Sequence, residues 1–245
     1  VILLKKEIFI DKLSDSFKEM EINYNQKILE QLWQYMNLML KENKKYNLTG
    51  ITDPENVIKK HFLDSASILS EFNFNSEEQI IDVGTGAGFP GMVMKLFLPK
   101  NSFTLLDSTL KKIKFLQLLS ARLGIYQGIE AIHDRAEDLA KSEKYRANFS
   151  HVVTRAVAPL KVLLEYTVPF AEKEGYINCF KGPNYNEEIK ECQKAINILG
   201  VEITSIQEVD IPYFQAERYL IRFKKVKNTH KKYPRRTGVP KKRPL

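Results

Sequence analysis

The chain has 245 residues, 43% hydrophobic and 28% charged, enough apolar material for a packed core and too much for whole-chain disorder. Two cysteines exclude a disulfide framework and a four-cysteine zinc site, and no apolar run reaches the ~20 residues of a membrane span. The net charge of +8 is unevenly spread: ten of the 38 cations lie between Lys224 and Leu245 with no acid among them, leaving residues 1–223 with 28 cations against 30 acids. Such an end suits a polyanionic partner, nucleic acid or an acidic membrane face, against the alternative of a solvated end that aids solubility. Tyr233, Pro234, Gly238, Pro240 and Pro244 interrupt it, which favours a segment that docks in a definite shape and weighs towards nucleic acid.

The first residues, Val1-Ile-Leu-Leu-Lys-Lys, place apolar residues ahead of charges, the reverse of a signal peptide, and a cytoplasmic protein is expected. Leu29, Leu32, Trp33, Met36 and Leu40 share one helical stripe, and Val57, Ile58, Phe62, Ser65 and Leu69 form a second. Asp53-Pro54 starts that second helix, with Asp at the N-cap and Pro at N1. Residues 1–74 therefore read as a small helical extension. From residue 75 to 223 strands and helices alternate. Strands are predicted at 79–83, 103–106, 129–132, 149–154 and 175–181, with helices between them and a further helix over 187–199. Strands 201–209 and 218–223 follow with no helix between, so they are predicted to pair antiparallel. The fold class is α/β, Rossmann-like, with a mostly parallel sheet and an antiparallel edge strand. Residues 224–245 form the basic tail.

The informative segment is Asp82-Val83-Gly84-Thr85-Gly86-Ala87-Gly88-Phe89-Pro90-Gly91, between a predicted strand and a helix. Glycines there let the chain turn and let a ligand lie against bare peptide, beside the helix N-terminus. Asp107, about 20 residues on at the end of the next strand, is placed to accept the hydroxyls of a ribose. Gly86 to Gly91 literally matches G-x-G-x-x-G, which keeps a nicotinamide-dependent oxidoreductase open. An acid at Asp82 suits a ligand carrying an amine better than a pyrophosphate, and Asp82 with the alternating glycines resembles the first motif of S-adenosylmethionine (SAM)-dependent methyltransferases.

Further motifs sharpen this. Lys45-Tyr46-Asn47-Leu48-Thr49, His61-Phe62-Leu63-Asp64-Ser65, the glycine segment, Leu105-Leu106-Asp107-Ser108, Arg135-Ala136-Glu137, Thr154-Arg155-Ala156 and Tyr233-Pro234-Arg235-Arg236 occur in this order. Together they resemble the bacterial ribosomal RNA small subunit methyltransferase G family, also called glucose-inhibited division protein B, from about residue 20 to the C-terminus. The resemblance implies transfer of a methyl group from SAM to N7 of one guanine of 16S rRNA, with the rRNA or the small ribosomal subunit as partner. Carried over by position, Gly84 and Phe89 contact SAM in the loop, Ala136 and Glu137 hold its adenine, and Arg155 is a further contact. Asp82, Gly86, Gly88 and Asp107 complete the expected cofactor set.

Guanine N7 has a free lone pair, so no general base is demanded and catalysis rests on alignment. His61, Asp64 and Arg155 are candidates for lining the guanine pocket. For His61 and Asp64 a helix-stapling role stands beside it, and for Arg155 a structural pairing with an acid. Lys45 and Asn47 in the polar loop, and Lys231, Lys232, Arg235, Arg236, Lys241, Lys242 and Arg243 in the tail, are expected RNA contacts. Removing residues 224–245 is then predicted to weaken RNA binding and spare SAM binding. Cys179 reads as a buried small residue, no metal site is expected, and a monomer is. A non-catalytic RNA-binding factor and a small-molecule methyltransferase stay open as alternatives.

Overall fold

The computed structural model describes residues 4–245; the opening residues 1–3, on which part of the signal-peptide reading rests, lie outside the described residues. Helices α1 (Lys6–Glu19) and α2 (Gln26–Tyr46) come first. The segment after them is a run of short helical pieces, α3 (Pro54–Val57), a π-helical turn (Ile58–Leu63), α4 (Asp64–Ala66) and α5 (Ile68–Glu71). Asp53 caps α3 as predicted, its carboxylate accepting from Asn56 N, with Pro54 at the first helical position. The continuous second helix predicted there is broken instead, and the π turn widens the backbone around His61.

The strands are β1 (Gln79–Val83), β2 (Ser102–Asp107), β3 (Ile129–His133), β4 (Phe149–Arg155), β5 (Ala171–Lys181), β6 (Val201–Glu208) and β7 (Tyr219–Lys225). Between them run α6 (Gly91–Phe97), α7 (Leu110–Arg122), α8 (Ala136–Leu139), α9 (Leu160–Thr167), α10 (Tyr185–Glu191) and α11 (Gln193–Leu199), and a last turn, α12 (Val239–Lys242), lies in the tail. The helix predicted over 187–199 is thus two, joined at Cys192. One seven-stranded sheet results, in the order β3-β2-β1-β4-β5-β7-β6. Strands β1 to β5 pair parallel, and β7 runs antiparallel to both β5 and β6. The antiparallel end of the sheet is where it was predicted, with β7 as the reversed strand and β6 outermost.

Alternate side chains of the central strands feed two cores. Ile80, Phe103 and Leu105 join Phe9, Leu32, Tyr35, Phe62 and Met92 on one face, whereas Ile81, Val83, Val152, Ile177 and Phe223 join Leu163, Leu199 and Tyr233 on the other. The helical extension therefore shares a core with the sheet. Among the described residues no helix is long and apolar enough to cross a membrane.

The tail is corrected most by the structure. Lys224 and Lys225 belong to β7, and Lys225 is buried with Nζ donating to Val168 O and Ala171 O; burial lowers its pKa to about 8. The segment after it folds back over α8 and α9. Arg146 donates to Tyr233 O, Thr229 O and His230 O, fixing three carbonyls of the returning chain. Arg235 grips the fully buried Glu165 with Nε, Nη2 and its own backbone N–H. Gly238 N donates to Glu137 Oε1 at 3.0 Å and Thr237 Oγ1 to Asp138 Oδ2 at 2.6 Å. The expectation of a definite docked shape holds. Arg235, an expected RNA contact, spends Nε, Nη2 and its backbone N–H on Glu165 and keeps a quarter of its side chain exposed.

Candidate functional site

Both ends of the glycine loop are tied to the sheet. Gly84 N and Thr85 N donate to Leu106 O at 2.9 and 3.0 Å, and Gly86 N donates to Asp107 Oδ2 at 3.0 Å. Gly88, at φ +105°, lies so close under the Tyr35 hydroxyl, Met92 and Leu116 that a methyl group has no room. Gly86 is the opposite case. A Cβ built on it meets nothing within 4 Å, so its bare backbone faces open space beside Asp107. Thr109 N and Lys112 Nζ also donate to the Asp107 carboxylate, at 2.9 and 3.3 Å, and hold it at the strand end. A carboxylate offers about four acceptor positions, so one remains for a ligand hydroxyl.

Asp82 is placed differently from the prediction. It is fully buried beneath the loop, and its Oδ2 accepts from Gly91 N at 2.7 Å, tying strand β1 to the first residue of α6. Burial raises its pKa to about 7, and Oδ1, like the nearby Thr85 Oγ1, has no hydrogen-bond partner among the described residues. Its carboxylate shapes the loop and presents no surface to a ligand. Phe89 is also buried: its ring stacks against Tyr35 at 5.2 Å and His61 at 4.3 Å, so it supports the loop from below. Glu137 is 4% exposed and engaged by Gly238, while Ala136 is half-buried at the start of α8. Around Gly86 and Asp107 the chain fits a nucleoside: bare peptide to lie on, an acid for the ribose, and the polar α8 start one strand away.

On the other side of β1, at the reversal of strand order between β1 and β4, lies a second group. Arg155 Nη1 donates to Asp64 Oδ2 at 2.6 Å and to Lys60 O at 2.9 Å, and Nη2 to His61 Nδ1 at 3.2 Å. Arginine only donates, so Nδ1 is the acceptor and His61 carries its proton on Nε2, which donates to Thr49 Oγ1 at 2.9 Å. Burial, reinforced by Arg155, lowers the His61 pKa to about 3, so the ring is neutral. Arg218 Nε reaches the other Asp64 oxygen at 3.3 Å. The trio of His61, Asp64 and Arg155 is therefore brought together, and it ties the π turn and the start of α4 to the end of β4.

Residues that sequence reasoning missed complete the assembly. Asn43 Oδ1 accepts from Leu48 N and Thr49 N at 2.6 and 2.9 Å, setting Thr49 against His61, while Tyr35 donates to Ala87 O at 2.5 Å. The spacing of Asn43 to the Asn47-Leu48-Thr49 motif held that signal. Asn47 itself is the left-handed C-cap of α2 and Lys45 is exposed beside Glu42, so both keep surface positions. Lys231, Lys232, Arg236, Lys241, Lys242 and Arg243 are exposed on the docked tail. Cys179 is buried as read, with its thiol pushed up to about 12.

A sequence model of the rRNA small subunit methyltransferase G family (GidB) matches residues 28–219. The chain belongs to this family. Proteins named ribosomal RNA small subunit methyltransferase G are similar over nearly their whole length. That of Thermoanaerobacter sp. (strain X514) is 44% identical over 236 residues, covering 96% of this chain and 98% of the relative. That of Clostridium novyi (strain NT) is 42% identical over 240 residues, covering 98% of each. Among solved structures, P. horikoshii TYW2 in complex with MeSAdo has a TM-score of 0.53 at 11% identity, covering 71% of this chain and 64% of that one. Geranyl diphosphate C-methyltransferase from Streptomyces coelicolor A3(2) has a TM-score of 0.52 at 12% identity, covering 66% and 78%. At such identities they share the fold alone.

Proposed function

We propose that this member of the methyltransferase G family transfers a methyl group from SAM to N7 of a guanine in the 16S rRNA of the small ribosomal subunit. The observation that carries the proposal is the pairing of two sites across one strand end. Gly86 and Asp107 form an open, ribose-ready face on one side of β1, and the His61–Asp64–Arg155 group borders a cavity on the other. SAM supplies an electrophilic methyl on a positively charged sulfur. The N7 lone pair forms the new N–C bond as the C–S bond breaks, and no proton is moved.

The chain's own residues then orient. Asp107 accepts a ribose hydroxyl, Gly86 gives backbone room, and Arg155, with all three of its contacts fixed, forms a rigid wall near the reacting end. Neutral His61 adds no further positive charge to a wall where Arg155 and Arg218 already share the single Asp64. The exposed tail cations Lys231, Lys232, Arg236, Lys241, Lys242 and Arg243, with Lys45 and Asn47, contact RNA phosphates and sugars and position rather than select.

The test is transfer of radiolabelled methyl from SAM to small-subunit rRNA, as naked RNA and as 30S subunits from cells lacking the enzyme, followed by reduction and aniline cleavage at 7-methylguanosine. Label with a single cleavage site is the expected result. Label without cleavage moves the target atom, and no label despite SAM binding overturns the proposal.

A further inference from the structure

The cavity beside Arg155 has a volume of about 420 Å³, within the range of small-ligand sites. One wall is the group already described. The opposite wall, Phe180, Lys181, Gly182 and Glu188, comes from the end of β5 and from α10 and has no part in that group. Glu188 Oε2 accepts from Leu160 N at 2.6 Å and from Lys181 Nζ at 2.7 Å. Lys181, 9% exposed in its side chain, also donates to Ala158 O at 2.9 Å. Both anchors fall on the same oxygen. The carboxylate is held in place, Oε1 has no partner among the described residues, and the side chain is 26% exposed where it lines the cavity.

An anchored carboxylate with one free oxygen accepts N–H groups and repels acceptors. Guanine and adenine both present an N7 acceptor, so chemistry at N7 cannot by itself tell them apart. The exocyclic N2 amino group is a donor that guanine has and adenine lacks, and it lies on the side of the base away from N7. The strand ends are arranged to match. In the strand order β2-β1-β4-β5 the ends carrying Asp107, the glycine loop, Arg155 and Lys181 follow one another, so a base lying along the Arg155 side of the cavity with N7 towards the glycine loop turns its far edge to the β5 and α10 wall.

We propose that Glu188 Oε1 accepts a hydrogen bond from the N2 amino group of the target guanine and so selects guanine, with Lys181 as the positioning residue for that carboxylate. The proposal rests on the guanine-methylating function above. A base without the amino group leaves Oε1 desolvated and unpaired, and the penalty falls on the wrong substrate.

The test uses small-subunit rRNA carrying guanosine or inosine at the mapped target nucleotide. Inosine keeps N7, O6 and N1–H and lacks only the amino group. The wild-type protein is expected to favour guanosine by roughly ten- to hundredfold in kcat/KM. Glu188→Gln, which keeps an acceptor for Leu160 N and Lys181, is expected to lower the guanosine rate and bring the ratio close to one. A purely structural role as the cap of α9 lowers both rates together and leaves the ratio intact, which would overturn the proposal. A wild-type ratio near one overturns it too, whether or not the variant folds. Glu188→Asp, one methylene shorter, gives an intermediate ratio if Oε1 is the reader and the wild-type ratio if it is not. Failure of the wild type to methylate guanosine would instead sink the function on which the proposal stands.

Discussion

Arg155 and Arg235 each close on a buried carboxylate at 2.6 Å, Asp64 in one case and Glu165 in the other, but their surroundings differ. Glu165 is fully buried and Arg235 approaches it with three donors, a pair that serves to fasten the returning tail. Asp64 divides its oxygens between Arg155 and Arg218, and all three line a cavity. The same chemistry fastens a chain end in one case and borders a cavity in the other. A buried ion pair alone does not mark a functional site. The space next to it does.

The largest expected effect is on the Arg235–Glu165 pair. Arg235→Ala leaves Glu165 without its main partner and should cost about 3 kcal/mol of unfolding free energy, measured by urea denaturation. Recovery of wild-type stability would show that the tail is not fastened there. Arg155→Lys keeps the charge but loses the planar fork that serves Lys60 O, His61 and Asp64 together. It is expected to cost about 2 kcal/mol in stability and to lower methyl transfer more than tenfold. Equal losses of activity in both variants would erase the contrast between them.

An intermediate effect comes from pH. The folded His61 pKa of about 3 lies below the usual 6.5, so its contribution to stability is lost as pH falls from about 6.5 towards 3. The folded Asp82 pKa of about 7 lies above the usual 3.8, so Asp82 acts in the opposite sense, favouring the folded state more as pH falls from about 7 to 4. Asp82→Asn should therefore steepen the acid loss between pH 7 and 4 in thermal melts. An unchanged slope would show that the carboxyl under the loop is ionised throughout.

Smaller changes probe the tail. Gly238 sits at φ +82° with its N–H on Glu137, so Gly238→Ala is expected to cost about 1 kcal/mol through backbone strain and to loosen the tail from α8. A SAM titration of that variant tests whether the latch also steadies the cofactor face. Lys241→Ala with Lys242→Ala should leave the melting temperature unchanged. If both lysines meet phosphates, the double variant should lower the salt dependence of RNA binding by roughly 0.7 to 0.9 per lost contact.

The strand and helix alternation was legible because parallel strands buried on both faces read as short apolar runs between amphipathic helices. The placing of β7 inside β6 was not, since pairing partners across the sheet leave no local mark. The His61–Asp64–Arg155 group was legible as residue types. Its hydrogen bonds, and those from Asn43 and Thr49, depend on a π turn that no helical spacing announces. Asp82 and Phe89 read as cofactor contacts because their positions in the loop are visible in the sequence and the depth of the loop is not. Charge counting alone does not say which of the ten cations in the last 22 residues face solvent: the interrupting Tyr, Pro and Gly pointed to a docked shape, but not to Lys225 and Arg235 being held by the fold or to the chain being pinned by Arg146. The predicted removal of residues 224–245 is accordingly no clean probe of RNA binding, because it takes the end of β7 and the partner of Glu165 with it.

The stacking of Phe89 between elements that lie far apart in the chain governs how the protein can be divided. Tyr35, 54 residues upstream, packs on that ring and donates to the neighbouring Ala87 carbonyl, and His61 packs on the ring as well. A minimal fragment begun at β1 would carry every glycine of the motif and none of the surface against which the motif takes its shape. Grafting the loop onto another α/β scaffold, or trimming this protein to its sheet, therefore requires α2 and the π turn to travel with it.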